Sequence, residues 1–249
     1  MKRILTFFRH LKQVYANLKG IIPSYPVELL PFEIRMIEKA SPYTMTSLER
    51  QSSLALAVRY LKENNIPGDF VECGVWRGGS IGLAALLSNS ERIYWLFDTF
   101  EGMTQPTRVD GSSATNRFLA SQTGPNSSDW CASSLSEVRS NLQRLGINPQ
   151  KLRFVIGDVT KSLAEPDNIP DKISLLRLDT DWYESTRIEL DKLYANLAPG
   201  GVLIIDDYGH WEGARKAVDE FFLEIDLKPL LIPIDYTGRI GIKPYEKIS

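Results

Sequence analysis

The sequence predicts an α/β protein with a doubly wound, mostly parallel sheet, and three observations support this fold class. Short apolar segments with the character of strands alternate with segments of helical period along most of the 249 residues. Several predicted strands end in acidic residues, which a parallel sheet gathers at one edge. No internal repeat is visible in the sequence, so the alternation does not indicate a repeat architecture.

The N-terminal segment MKRILTFFRHLKQVYANLKGII is predicted to form a basic amphipathic helix that ends near Gly20. Lys and Arg recur along it, and no acidic residue precedes Glu28. It is too short and too interrupted by charge to span a membrane, and it lacks the pattern of a signal peptide. We expect this helix to dock on its own domain or on a second subunit, and contact with a membrane surface is the less favoured alternative.

The next predicted helix begins at Thr46 or Ser47, either of which can cap it, and ends before Pro67. The strand DFVECGV then leads through glycines into the helix SIGLAALLSNS, and RIYWLFDTF is again a strand. Residues 101–134 are polar and rich in Ser, Thr, Gly and Asn. Connections of this length are commonly lids or binding loops, and this one follows a strand. We therefore expect it at the ligand-binding edge of the sheet.

The second half of the chain continues the alternation. The helix SLSEVRSNLQRLG stops at Gly146, and the strands LRFVIGD and KISLLRLDTD follow it. The helix ESTRIELDKLYANL leads to the strand GVLIIDD, and GARKAVDEFFLEI is the last predicted helix. The apolar runs KPLLIPI and RIGIKP predict a final pair of strands. This order predicts a Rossmann-like sheet with helices on both faces.

Composition narrows the class of protein. The chain is 43% hydrophobic and 24% charged, as ordinary globular proteins are, and its net charge of -2 gives no reason to expect a nucleic-acid partner. Cys73 and Cys131 are the two cysteines, and no Cys/His spacing suits zinc. We therefore predict a reducing, cytoplasmic location. Cys73 falls at the end of an apolar strand and is interpreted as a small core residue.

Acidic residues end three of the predicted strands next to the glycine-rich segment CGVWRGGS. Glu72 is placed to meet an ammonium group, Asp98 to accept hydrogen bonds from a ribose, and Asp158 to lie near an adenine. S-adenosylmethionine carries all three groups. NAD fits less well, because the segment is not G-x-G-x-x-G and Glu72 would face the pyrophosphate. The alternative is that these acids only cap helices.

Two further strands end in paired aspartates, Asp179 with Asp181 and Asp206 with Asp207. Residues i and i+2 of a strand point the same way, and the two strands are plausible neighbours. Up to four carboxylates would then meet, and a divalent cation such as Mg²⁺ or Ca²⁺ would relieve their repulsion. Three could hold the cation while the fourth serves as a base. The alternative is a set of solvated acids that cap the following helices.

With these motifs laid out, the chain resembles the macrocin O-methyltransferase (TylF-type) family, from about YTMTSLER to GRIGIKP. The segments that carry the resemblance are TMTSLERQSSLALAV, GDFVECGVWRGGS, FDTFEGM, LRLDTDWYEST and GGVLIIDDYGHWEGARKAVDEF. The resemblance implies a class I methyltransferase fold, S-adenosylmethionine and Mg²⁺ as cofactors, a sugar hydroxyl as the acceptor and a homo-oligomer. It divides the chain into an N-terminal helical extension, residues 1–50, and a methyltransferase domain, residues 51–249.

The resemblance also implies roles for individual residues. Asp179, Asp206 and Asp207 look like metal ligands, and Asp181 looks like the general base. Tyr43 looks like an acceptor contact in a segment that closes over the site. His210 is not assigned to catalysis. The residues that look like the cofactor pocket are Thr44, Met45, Glu72, Gly74, Val75, Gly78, Gly79, Ser80, Asp98 and Asp158.

Three alternatives stay open at this stage. An NAD-dependent nucleotide-sugar oxidoreductase or epimerase would need a tight glycine loop and a Tyr/Lys pair, and neither is visible. A non-catalytic methyltransferase-like binding subunit would not need the aspartates, which are intact. A catechol acceptor would keep the chemistry but change the substrate. The acceptor would be selected by residues 101–134 and the N-terminal segment, and both glycolipids and soluble glycosides remain candidates.

Overall fold

The fold was analysed in a computed structural model, which describes residues 25–88 and 91–245. The predicted N-terminal basic helix lies outside the described residues. The helices are α1 (Pro31–Ala40), α2 (Leu48–Glu63), α3 (Gly79–Ser88), α4 (Gly111–Ala120), α5 (Leu135–Leu145), α6 (Val159–Ser162), α7 (Tyr183–Leu193) and α8 (Glu212–Glu224). The strands are β1 (Asp69–Cys73), β2 (Tyr94–Asp98), β3 (Gln122–Gly124), β4 (Ser127–Ser128), β5 (Leu152–Ile156), β6 (Ile173–Leu178), β7 (Leu197–Ile205), β8 (Ile232–Pro233) and β9 (Arg239–Ile242).

The main sheet has seven strands in the order β5-β2-β1-β6-β7-β9-β8. The first five of these are parallel to one another, and β9 pairs antiparallel with both β7 and β8. The reversal of strand order at β1 makes the sheet doubly wound, which confirms the predicted fold class. The predicted final pair of strands is also confirmed, as β8 and β9.

Apolar side chains alternate between the two faces of the sheet and build a core on each. Phe70 of β1 and Leu175 of β6 pack under the layer of α1, α2, α3 and α5. Their neighbours Val71 and Leu176 pack under α7 and α8 on the other face. Every residue of β6 is buried, because this strand lies in the middle of the sheet with helices on both sides. Cys73 is fully buried among these side chains, as a small core residue.

Two local predictions can be compared with the structure. Ser47 caps α2, where its hydroxyl accepts a hydrogen bond of 3.2 Å from the amide of Arg50. The segment 101–134, predicted only as a long polar loop, contains α4 and the short antiparallel pair β3–β4. Helix α2 begins at Leu48, before the predicted domain boundary at residue 50, and that division stays a prediction. No helix in the described parts of the chain is long and apolar enough to cross a membrane.

Candidate active site

The carboxyl ends of the parallel strands surround a cavity of about 260 Å³. The loops after β1 and β2 form one wall, and the turns after the neighbouring strands β6 and β7 form a second wall. The segment 101–134 closes a third side. This is the edge of the sheet at which doubly wound folds bind their ligands, as the sequence predicted.

Gly74 connects the two main walls of the cavity. Its φ of +83° lies in the left-handed region, and a Cβ at this position would be 1.9 Å from the carbonyl oxygen of Asp179. The amide of Asp179 donates to the carbonyl of Cys73 over 2.8 Å. Only glycine fits so close to another backbone, so the loop after β1 and the turn after β6 are fixed relative to each other.

Asp98, at the end of β2, shapes the loop beside it. Its Oδ2 accepts hydrogen bonds from the amides of Val75, at 2.7 Å, and Trp76, at 3.0 Å. Its Oδ1 accepts a hydrogen bond of 2.8 Å from the amide of Phe100. Asp98 and Val75 both line the cavity. The side chain thus holds the glycine-rich loop in place, and its predicted contact with a ribose stays a prediction.

Asp158 also lines the cavity, and its carboxylate caps the single helical turn α6. Its Oδ1 accepts hydrogen bonds from the amide and the hydroxyl of Thr160, at 2.9 and 2.7 Å. The predicted adenine contact stays a prediction.

Glu72 lies beneath the wall of the cavity and does not line it. The side chain is buried, forms an ion pair with Arg177, and accepts a hydrogen bond of 3.0 Å from the amide of Ile81. Burial raises the pKa of Glu72 to about 7, and the attraction of Arg177 only partly offsets this. The predicted contact with an ammonium group therefore has no direct support in the geometry.

The segment that precedes α2 covers the start of α3. A Cβ at Gly79 would be 2.5 Å from the carbonyl of Tyr43, so the two backbones touch at this point. The hydroxyls of Thr44 and Ser80 are 3.2 Å apart. Of the predicted pocket residues in this region, Thr44, Met45, Gly74 and Ser80 line the cavity; Tyr43, Gly78 and Gly79 do not.

Three of the four predicted aspartates converge on one point. Each of Asp179, Asp181 and Asp207 places a carboxylate oxygen within 4.8 Å of the other two. Strands β6 and β7 end side by side, with Leu178 opposite Ile205, and the aspartates follow directly. Asp181 has a φ of +69°, so it belongs to a turn and not to the strand. The prediction that the two pairs meet holds for three of the four carboxylates, but the i, i+2 strand geometry used to reach it is wrong.

Asp206 stands apart from this cluster. Its carboxylate forms an ion pair with Arg50 and accepts a hydrogen bond of 2.8 Å from Arg177. Arg177 also contacts Asp179 over 2.7 Å, and it is buried with Glu72. The structure thus groups Asp181 with Asp179 and Asp207, where the resemblance implied Asp206 as the third ligand.

The cluster of Asp179, Asp181 and Asp207 suits a hard divalent cation. Burial and the neighbouring carboxylates raise the pKa of Asp179 and Asp207 well above the usual value, and that of Asp181 to about 7. The buried Oδ2 of Asp207 has no hydrogen-bond partner among the described residues. A carboxylate oxygen left without a donor beside two others is the ligand chemistry that Mg²⁺ and Ca²⁺ prefer.

The segment 101–134 is anchored by residues that sequence reasoning did not identify. Buried Asp110 accepts hydrogen bonds of 2.7 Å from the amides of Thr107 and Tyr183, the first residue of α7. The sequence could not predict that Asp110 binds the first amide of α7, because residues 110 and 183 are distant in the chain. Trp130 packs edge-on against Trp182 and Trp211, with ring centroids 5.7 and 5.9 Å away.

His210, which was not assigned to catalysis, lines the cavity. Its Nδ1 is hydrogen-bonded to the hydroxyl of Tyr236, and its ring packs edge-on against Trp211 at 4.4 Å. Tyr236 is largely exposed in the turn between β8 and β9. Tyr236 does not line the cavity, and the amide of His210 donates a hydrogen bond of 3.0 Å to the backbone carbonyl of Asp207, so the histidine lies next to the aspartate cluster.

The fold and the cavity define a class I methyltransferase. The structure superposes with a TM-score of 0.77 on the solved structure described as "Structure of the O-methyltransferase NovP". The two chains are 26% identical, and the match covers 86% of this chain and 98% of the other. The solved structure described as "Crystal Structure of CalS11, Calicheamicin Methyltransferase" gives a TM-score of 0.58 at 20% identity, with 86% and 94% of the chains covered.

The model of the macrocin O-methyltransferase (TylF) family matches residues 38–240. The chain therefore belongs to this family and is an O-methyltransferase. It is 33% identical over 203 residues to demethyldecarbamoylnovobiocin O-methyltransferase of Streptomyces niveus, across 80% of this chain and 75% of the relative. It is 30% identical over 200 residues to mycinamicin III 3''-O-methyltransferase of Micromonospora griseorubida, across 79% of this chain and 76% of the relative.

Proposed function

We propose that this O-methyltransferase transfers the methyl group of S-adenosylmethionine to a hydroxyl of a sugar, with Mg²⁺ bound at the aspartate cluster. The observation that carries the proposal is the convergence of Asp179, Asp181 and Asp207 on one side of the cavity. The relatives named for novobiocin and mycinamicin substrates support a glycoside as the acceptor. Two neighbours of the same fold are described as bound to S-adenosylhomocysteine, which agrees with the proposed donor.

A bound Mg²⁺ would lower the pKa of the acceptor hydroxyl, and the sulfonium of the donor supplies the methyl group. We assign the cation to Asp179 and Asp207. Asp206 would join them by giving up a contact with Arg50 or Arg177. Asp181 accepts the hydroxyl proton. Its carboxylate oxygen lies within 4.8 Å of those of Asp179 and Asp207, within reach of a hydroxyl held beside them. The oxygen–carbon bond forms as the sulfur–carbon bond breaks.

The other wall of the cavity is proposed to hold the donor. The loop around Gly74 and Val75 approaches it through backbone, and Ser80 and Thr44 bring hydroxyls from α3 and from the covering segment. Asp98 holds this loop, and Asp158 lies on the same side. Glu72 acts through Arg177. The guanidinium of Arg177 contacts Glu72 beneath the wall proposed to bind the donor, and it also contacts Asp179 in the aspartate cluster. Such cross-linking keeps the two reactants in a fixed relative position.

Calorimetric titration with S-adenosylhomocysteine tests the donor, with NAD in a parallel run and Mg²⁺ present in both. The proposal expects micromolar binding of S-adenosylhomocysteine and no heat with NAD. Binding of NAD instead would favour the oxidoreductase alternative.

The variant Asp181→Asn is expected to keep donor and Mg²⁺ binding while losing turnover. Asp167→Asn, at an exposed position, serves as the matched control. Full activity of Asp181→Asn would overturn the assignment of the base.

The cellular setting is proposed on separate grounds. Cys73 and Cys131 are both free, which agrees with a reducing, cytoplasmic location. The family resemblance supports a homo-oligomer, and light scattering after gel filtration measures its order. We propose no nucleic-acid partner, because the net charge is -2. Vesicle flotation tests the less favoured membrane contact of the N-terminal segment.

A further inference from the structure

Arg117 differs from the other arginines of the cavity wall in its partners. Arg50 is paired with Asp206 and Asp235, and Arg177 is paired with three carboxylates. Arg117 lines the same cavity, yet it forms no ion pair with a carboxylate within residues 25–88 and 91–245. An arginine keeps its charge at every physiological pH, so the wall carries one cation that has no ion-pair partner among the described residues.

The guanidinium of Arg117 is held in place by an aromatic platform. It lies over the indole of Trp130, with 4.7 Å from its carbon to the ring centroid. Trp130 is fixed in turn by Trp182 and Trp211, and the indole of Trp182 donates a hydrogen bond of 3.0 Å to the carbonyl of Thr104. A guanidinium placed over an aromatic ring can still donate hydrogen bonds to a ligand through its N–H groups.

Arg117 lines the same cavity as the aspartate cluster. The residues that line this cavity include Asp179, Asp181, Asp207 and His210. The guanidinium therefore faces the space in which the reacting hydroxyl is proposed to bind.

We infer that Arg117 determines acceptor specificity by binding an oxyanion, a phosphate or a carboxylate, attached to the sugar acceptor. The inference rests on the proposed function, because the aspartate cluster would fix the reacting hydroxyl while Arg117 takes the charged group. The planar guanidinium of Arg117 can bind either oxyanion through two parallel hydrogen bonds. The indole of Trp130 beside it offers an apolar surface for the sugar ring. A neutral glycoside would offer this cation only uncharged oxygen acceptors, whose hydrogen bonds are weaker than those of an oxyanion.

Structural stability gives no other reason for this arginine. Arg117 lies on the exposed face of α4, while Ala114 and Phe118 form the buried face. Replacing Arg117 should therefore leave the fold intact. Arg108, in the same segment, is exposed and does not line the cavity, so Arg108→Met is a matched control for the loss of one positive charge.

The test compares methyl transfer from labelled S-adenosylmethionine to the 1-phosphate, the uronate and the methyl glycoside of glucose, galactose and mannose. The inference expects kcat/KM for a charged form to exceed that for its methyl glycoside by about 10-fold or more, as a charge-assisted bidentate contact would give. Arg117→Met should abolish the preference, Arg117→Lys should keep part of it, and Arg108→Met should not change it. The phosphate and uronate arms identify which oxyanion is bound.

A binding measurement keeps the inference testable if no sugar in the panel is methylated. Tryptophan fluorescence would follow the binding of glucose 1-phosphate and glucuronic acid to the folded protein with S-adenosylhomocysteine and Mg²⁺. The expected result is saturable binding of at least one anion that weakens about 10-fold or more in Arg117→Met. No anion binding by the native chain, or equal binding by Arg117→Met, would overturn the inference. If the proposed methyltransferase function is wrong, the protein will not bind S-adenosylhomocysteine, and this result is distinct from a loss of anion binding.

Discussion

Arg177 offers the sharpest test of how the two walls of the active site are held together. Its buried guanidinium contacts Glu72 below the donor wall, Asp179 at the proposed metal site, and Asp206 between them. Removing the guanidinium in Arg177→Met, a side chain of similar length, would leave three carboxylates without their shared cation. We therefore expect this variant to be strongly destabilised.

The size of the effect follows from the burial of the cluster. Arg177 is 5% exposed and Glu72 and Asp206 are each 2% exposed, so water cannot replace the lost partner. Removing one member of a buried ion pair costs roughly 3–5 kcal/mol, because the remaining charge stays desolvated. At about 2–4 °C per kcal/mol for a chain of this size, the melting temperature should fall by roughly 6–20 °C.

Urea denaturation of the native protein and of Arg177→Met, at pH 7.5 and again at pH 5, measures the effect. The loss should be smaller at pH 5, because protonation removes charge from the orphaned carboxylates. Arg187→Met is the control: Arg187 pairs with Asp191 and Glu224 on the surface, and its loss should cost only a small fraction as much. A destabilisation of Arg177→Met no larger than that of Arg187→Met would refute the reasoning.

Three further predictions concern residues around the site. In Thr180→Val, loss of the 2.9 Å hydrogen bond from the Thr180 hydroxyl to buried Glu189 should lower the free energy of unfolding by about 1–3 kcal/mol in urea denaturation, because the carboxyl group is left buried without this donor, whereas Thr180→Ser should keep the bond and the stability. In Gly79→Val, a Cβ would lie 2.5 Å from the carbonyl of Tyr43 and clash with it. The variant should therefore have a higher KM for S-adenosylmethionine and a free energy of unfolding lower by roughly 1–3 kcal/mol. Unchanged kinetics would contradict that contact. Burial raises the folded-state pKa of Glu72 from 4.5 to about 7, so the folded protein binds a proton that the unfolded chain releases. The contribution of Glu72 to the free energy of unfolding should therefore fall as pH rises between these values, and Glu72→Gln should flatten the pH profile measured by urea denaturation.

The sequence was sufficient to predict the fold because its signals are local. Apolar strands, helical periods and the acids at strand ends each occupy a few consecutive residues, and the rule for parallel sheets then brings those ends together. This reasoning placed the aspartates close together at the carboxyl edge of the sheet. It also located the segment 101–134 beside them, although the helix α4 within it was missed for lack of a strong apolar period.

The details that escaped prediction depend on contacts between distant residues. Asp206 is withdrawn from the aspartate cluster by Arg50, which lies 156 residues earlier in the chain. Glu72 is turned away from the cavity by Arg177, 105 residues later. Asp181 enters the cluster through a left-handed turn, which a strand pattern does not reveal. Such pairings depend on tertiary packing, and no spacing rule along the chain encodes them.

The central claim is methyl transfer to a sugar hydroxyl that depends on a cation at the aspartate cluster. The most direct measurement incubates the protein with methyl-labelled S-adenosylmethionine and a panel of glycosides, in Mg²⁺, in EDTA, and after Mg²⁺ is restored. The account predicts label in an alkali-stable sugar ether, lost in EDTA, recovered with Mg²⁺ and absent in Asp207→Asn. Equal transfer in EDTA, or label in an alkali-labile ester, would contradict it.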